Sequence, residues 1–165
     1  MAAQAGDQDA FVALLDGAAG QAYRLARVIV RDDLMAQDAV QEASIRAWRD
    51  LPRLRDPEKW PQWYRRIAVR AAIDQARREA GERHLALDPL PASRADASES
   101  IARRDELAVA LRRLSPDDRA LLALRFAADL EVPDIAEALG IPLGTAKSRL
   151  HRALAKLRTE LEADR

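Results

Sequence analysis

The chain has 165 residues, with 27 basic and 27 acidic side chains cancelling to a formal net charge of zero. It has no cysteine and only two histidines, His84 and His151, which excludes disulfides and leaves no metal or Cys/His catalytic centre to be expected. No apolar run approaches the about 18 residues of a membrane span, and the opening MAAQAGDQDA has no signal-peptide pattern, so a cytoplasmic protein without membrane insertion or cofactor is expected. Alanine is abundant, β-branched residues are sparse, and apolar positions recur at helical spacing almost throughout. An all-α fold follows.

Residues 8–31 read as one or two helices whose core is supplied by Phe11, Leu14, Leu15, Tyr23, Ala26, Val28 and Val30. Asp32 or Asp33 can cap the next helix, which runs to about Asp50. Its buried stripe is Ala36, Val40, Ser44, Ala47 and Leu51, with Trp48 at the edge. The opposite face carries Asp38, Gln41, Glu42, Ile45 and Arg49. An isoleucine among exposed polar residues marks a surface that could meet a partner, although lone exposed apolar residues are common.

A proline-marked loop follows, and a third helix is predicted over 61–79. Trp60, Trp63 and Tyr64 stand beside Arg65 and Arg66, with Arg70, Arg77 and Arg78 further on and Asp74 the one acid among them. Aromatics interleaved with arginines can stack unpaired bases while binding their phosphates. The same spacing also makes Trp60, Trp63, Ile67, Ala68 and Ala71 an apolar stripe, and on spacing alone a core role is the favoured of the two. Composition then shifts to Gly, Pro, Ser, Ala and isolated charges, which reads as a flexible tether over 81–101 between domains at 1–80 and 102–165.

The second domain opens with a helix through Leu107, Ala108, Leu111 and Leu114. Ser115, Pro116, Asp117 and Asp118 then supply a serine cap, a proline at the first helical position and acids in the first turn. Leu121, Leu122, Leu124 and Phe126 are expected to be buried. Ala136, Gly140 and Ala146 have helix-turn-helix spacing: a small residue at the crossing, glycine in the turn and an apolar anchor beyond. Wound at about 100° per residue, the last helix has a dry side of Ala146, Leu150, Ala153, Leu154, Leu157 and Leu161. Gly144, Lys147, Ser148, His151 and Arg152 point the other way, flanked by Thr145 and Arg149. Between Leu143 and Arg158 there are five Lys or Arg and no acid, in a chain of zero net charge. Such a helix is built to lie on duplex DNA.

With both halves in view, the chain resembles the sigma-70 family of bacterial sigma factors, in particular the small extracytoplasmic-function (ECF) group that has only domains two and four. The matching stretches are DAVQEASIRAW at 38–48, WPQWYRRIAVRAAIDQARR at 60–78 and IAEALGIPLGTAKSRLHRALAKLR at 135–158, in the family's order on either side of a variable linker. The resemblance implies that Asp38, Gln41, Glu42 and Ile45 dock on the β′ clamp helices of core RNA polymerase, whose β flap is a further expected contact. It implies that Trp60, Trp63, Tyr64, Arg65, Arg66, Arg70, Asp74 and Arg77 serve the minus-ten promoter element. Gly144, Thr145, Lys147, Ser148, Arg149, His151 and Arg152 would then meet the minus-thirty-five element. Promoter DNA, core polymerase and an anti-sigma factor are the partners this implies, with the polymerase doing the chemistry and the chain itself no enzyme. Arg70 departs from the family's usual asparagine, Glu131 from its usual Ser or Thr cap, and Ala146 from its usual valine. The rival reading is a stand-alone helix-turn-helix regulator, which would leave the 60–78 cluster and the acidic face of 38–45 without a role.

Overall fold

The computed structural model describes residues 1–86 and 99–163, with side-chain surroundings for 1–81 and 106–163. Among the described residues every regular element is helical: α1 (Gln8–Asp16), α2 (Ala19–Val30), α3 (Asp33–Asp50), α4 (Trp60–Ala86), α5 (Glu99–Arg112), α6 (Pro116–Leu122), α7 (Val132–Leu139) and α8 (Leu143–Ala163). Several starts follow the capping chemistry of the sequence. Asp32 accepts the Met35 N–H at the head of α3, Asp7 accepts the Ala10 N–H at the head of α1, and Ser115 accepts the Asp118 N–H at the head of α6. Glu131, by contrast, heads α7 without a side-chain cap.

The predicted third helix is longer than its amphipathic pattern, running on through residue 86, and α5 begins at Glu99. Both ends of the expected tether are therefore helical, and 87–98 lies outside the described residues. In α3 the buried stripe is Ala36, Ala39, Ala43 and Ala47, with Val40 and Ser44 half-buried beside it. Leu25 and Ile29, absent from the expected core, are among the most deeply buried side chains of α2.

Phe126 is the clearest departure. It was expected inside, yet it is 66% exposed, while Leu121, Leu122 and Leu124 are buried. The chain widens into a π-helical stretch over Ala123–Ala127, where the Ala128 N–H reaches back to the Ala123 carbonyl. One extra residue in that turn rotates the apolar phase, and Phe126 is carried outward. Leu107, on the helix that opens the second half, is 41% exposed.

Two apolar clusters hold the molecule. One gathers Phe11, Ala43, Ala47, Leu51, Trp60 and Tyr64 at the start of α4. The other runs from Leu25, Ile29, Val69 and Ile73 straight into Leu121, Leu124, Ile135 and Leu150. The two halves of the chain thus share one core, with α4 packed against both α6 and α7.

Candidate nucleic-acid interface

The helix-turn-helix is built as its spacing predicts. Gly140 takes φ +65°, its N–H bonds the Glu137 carbonyl, and the next N–H, of Ile141, bonds the Ala136 carbonyl. This left-handed close of α7 favours glycine, and it aims α8 away from α7. On α8, Ala146, Leu150 and Ala153 are buried, whereas Leu154, expected among them, lies at the exposed edge. Gly144, Lys147, Ser148, Arg149, His151 and Arg152 are exposed and Thr145 is half-buried. Ser148 donates its hydroxyl to the Thr145 carbonyl and Arg152 Nε donates to the Ser148 carbonyl, so that side of the helix is a solvated, ordered basic surface.

The α3 face is equally clear. Asp38, Gln41 and Ile45 are exposed, Ile45 at 57%, and Glu42 is half-buried. Glu42 accepts a hydrogen bond from Arg46 Nε at 2.8 Å, and Arg46 Nη1 lies 3.6 Å from Asp74 on α4. The Glu42 hydrogen bond is the main reason the Arg46 guanidinium is held above its ordinary value. Sequence reasoning did not single out Arg46. Its i,i+4 spacing from Glu42 was the available signal.

Along α4 the residues read as one cluster separate into two sets. Trp60 and Tyr64 belong to the core, 4% and 1% exposed. Their rings stack on each other with centroids 5.2 Å apart, and Phe11 meets Trp60 edge-on. Both polar atoms are satisfied internally: Trp60 Nε1 donates to the Leu14 carbonyl, and the Tyr64 hydroxyl bonds that of Ser44 at 2.9 Å. Burial pushes the Tyr64 phenol above its ordinary value, against a smaller opposing effect of that hydrogen bond. Neither ring has a face open to a base, so the stacking role expected of them is withdrawn. Burying an aromatic and pairing its polar tip is more favourable than holding it in water.

The other set remains at the surface. Trp63, Arg65, Arg66 and Asp74 are half-buried, and Arg70 and Arg77 are exposed. Arg77 reaches Asp117 at the head of α6, with Nη2 2.8 and 2.9 Å from the two carboxylate oxygens. Arg70 Nη2 lies 2.6 Å from where a Cβ on Gly140 would sit. A cavity of about 400 Å³ between the halves is lined by Arg46, Arg70, Arg77, Arg149 and the carboxylates Asp74 and Asp117. Two basic surfaces distant in sequence therefore face one space. Asp117, an acid in the first turn of α6, thus also pairs with Arg77 of α4.

Comparison with known proteins bears on both halves. The family model for Sigma-70 region 2 matches residues 14–82, and that for Sigma-70, region 4 matches residues 104–157. The RNA polymerase sigma-E factor of Streptomyces avermitilis is 36% identical over 141 residues, spanning 85% of this chain and 78% of that protein. The ECF RNA polymerase sigma factor SigM of Mycobacterium tuberculosis is 34% identical over 154 residues, or 93% of this chain and 78% of that protein. In fold, the chain is similar to CnrH in its complex with the cytosolic domain of CnrY, with a TM-score of 0.72 at 24% identity over 99% of this chain and 94% of that one. It is also similar to the sigma factor RpoE of Bartonella quintana bound to the anti-sigma factor NepR, with a TM-score of 0.67 at 23% identity over 96% and 98%. A region 2 match across the first half gives the stand-alone regulator no support. The chain belongs to the sigma-70 family and is an RNA polymerase sigma factor of its ECF group.

Proposed function

We propose that this sigma factor divides promoter recognition between its halves, with residues 1–80 serving polymerase docking and the minus-ten element and residues 102–165 the minus-thirty-five element. The observation that carries the reading is the exposed face of α8, where Lys147, Arg149 and Arg152 stand in water beside Gly144 and Ser148 on a helix anchored by Ala146, Leu150 and Ala153. A helix presented in this way enters a major groove, where a bidentate arginine contact contributes about 1–3 kcal/mol of discrimination.

On α3, Asp38, Gln41, Glu42 and Ile45 form an acidic rim around one exposed apolar side chain, a surface suited to the β′ clamp helices of the polymerase. On α4, Trp63, Arg65, Arg66, Arg70, Asp74 and Arg77 are the residues left to meet the minus-ten strand once Trp60 and Tyr64 are assigned to the core. Extruding a base costs a few kcal/mol, offset by the half-buried Trp63 ring and the arginines around it. The polymerase supplies the chemistry. The protein works in the cytoplasm, and among the described residues no helix is long and apolar enough to cross a membrane. Because CnrH and RpoE are fold neighbours seen with CnrY and the anti-sigma factor NepR, an inhibitory protein partner is part of this reading.

The test is in vitro transcription with purified core polymerase, this protein and a genomic fragment library. Initiation at a shared two-element promoter is the expected result, and Arg70→Asn should then alter the preferred minus-ten sequence. Identical transcripts with and without the protein, together with tight duplex binding by the free chain, would overturn the reading.

A further inference from the structure

We propose that residues 2–16 brace the loop at 51–59, and that Gln4 is the positioning residue of that brace, setting where the loop stands beside the minus-ten strand. The proposal rests on the minus-ten reading of α4 above. A short 3-10 turn, Ala2–Ala5, precedes α1 and is closed by Gly6 at φ 93°. The Asp7 N–H bonds the Ala2 carbonyl while the Asp7 carboxylate caps α1, so turn and helix are joined through one residue.

This unit grips the loop at both ends. At the near end, Gln4 Nε2 donates to the Leu54 carbonyl at 2.7 Å and to the Leu51 carbonyl at 3.3 Å. Leu51 closes α3, and the last carbonyls of a helix have no partner within it. A primary amide suits the place, because it brings two N–H donors and no charge to bury. Ala3, 3% exposed, lies in the same apolar cluster as Leu51 and Leu54. At the far end, the Leu14 carbonyl of α1 accepts the Trp60 indole N–H at 3.2 Å. Phe11 of the same helix meets that ring edge-on, with centroids 5.9 Å apart.

What lies between the two grips faces outward. Arg53, Arg55 and Lys59 are exposed, and the Asp56 carboxylate is turned back to accept the Glu58 N–H. The loop runs straight into the first turn of α4, which carries Trp63, the half-buried ring left for an unpaired base. Cations just ahead of a stacking ring are placed for the phosphates that flank the stacked base. Where they stand depends on the loop backbone, and that backbone is held from residues 2–16 as well as from α4. A contact set held loosely accepts more than one base in nearly the same pose, so discrimination falls before binding does.

Substitutions at Gln4 separate positioning from folding. Gln4→Glu keeps the size but turns the donor into a carboxylate facing two carbonyls, Gln4→Ala removes the group, and Gln4→Lys keeps N–H donors within reach. Each full-length protein is assembled with saturating core polymerase, and open-complex formation is measured on a promoter and on its single-base variants at both elements. Gln4→Glu and Gln4→Ala should lower the preference for the best base at one or more minus-ten positions by at least about fivefold, the worth of one hydrogen bond. The minus-thirty-five preferences should stay as in the wild type, and Gln4→Lys should restore the minus-ten ones. Loss of folded protein lowers every promoter together and leaves these ratios unmoved. Hydrogen exchange reads the brace itself: amides of 51–59 should exchange faster in Gln4→Glu, while those of α8 keep their wild-type rates. Unchanged exchange overturns the brace, and faster exchange with unchanged ratios reduces Gln4 to a structural residue and overturns the proposal. Trp63→Ala on the same promoter panel keeps the underlying reading separate. If it alters the minus-ten ratios and Gln4→Glu does not, the brace falls and the reading of α4 stands. If Gln4→Glu alters them and Trp63→Ala does not, the brace stands and the place of Trp63 in that reading is struck.

Discussion

Arg31 sits in surroundings that oppose its charge. It closes α2 in a left-handed conformation at φ 66°, and its guanidinium is pushed down to about 10 by burial and, less strongly, by the charges of Arg112 and Arg119. The folded value lies below the unfolded one, so between about pH 10 and the ordinary arginine range the unfolded chain binds more protons. Stability from this group therefore rises with pH through that window, and at neutral pH the charge weighs against folding. Its hydrogen bond goes to the Ala108 carbonyl inside α5, a group that helical bonding already serves. Arg31→Gly relieves both the backbone and the charge, and it should raise stability by about 1 kcal/mol in urea unfolding at neutral pH, a gain that shrinks as pH passes about 10. Tyr64 gives the opposite kind of test. Tyr64→Phe keeps the stacked ring and removes only the hydroxyl paired with Ser44, which should cost about 0.5–1.5 kcal/mol of stability and leave promoter opening on permanganate footprints unchanged. A specific loss of opening would return Tyr64 to the DNA face.

At the scale of elements, α8 shows how much a sequence can carry. Its dry side and its basic side were legible because the helix packs along one stripe and faces water on the other, so period and burial coincide. Replacing Lys147, Arg149 or Arg152 singly with alanine should change the unfolding free energy by no more than about 0.5 kcal/mol, since all three are exposed. Each should weaken binding of the holoenzyme to its promoter. A phosphate contact should reduce the slope of log affinity against log salt by about one, whereas a base contact should relax specificity at one position. Helix α4 was less legible for a physical reason. It buries Ala68, Val69, Ala71, Ala72, Ile73 and Ala76, residues on several sides of one helix, because both halves of the molecule pack on it. A helix covered on several sides has no clean stripe, so spacing placed Trp60 on the apolar side but left Tyr64, 1% exposed, out of it. Phe126 was misplaced because periodicity assumes 3.6 residues per turn and cannot announce a π-helical turn.

Across the whole molecule, the seam between the halves was invisible in the sequence, because Ile73, Leu121, Leu139 and Ile141 each read as ordinary core of its own half. Nothing in their spacing says that they face one another. The tryptophans offer a way to measure what that contact contributes. Trp48, Trp60 and Trp63 all lie in the first half, so indole fluorescence reports that half alone. Leu121 lies in the second half, is 1% exposed, and meets Ile73 across the seam. Leu121→Ala should cost the second half about 2–5 kcal/mol, as a buried leucine truncation does. If the halves fold as one unit, the fluorescence midpoint in urea must fall as well, although no tryptophan has been touched. The most the first half can lose is the free energy of its contact with the second, beyond which it unfolds on its own. The size of the fluorescence shift is therefore a measure of the contact between the halves, and an unmoved midpoint would mean that the two halves unfold independently.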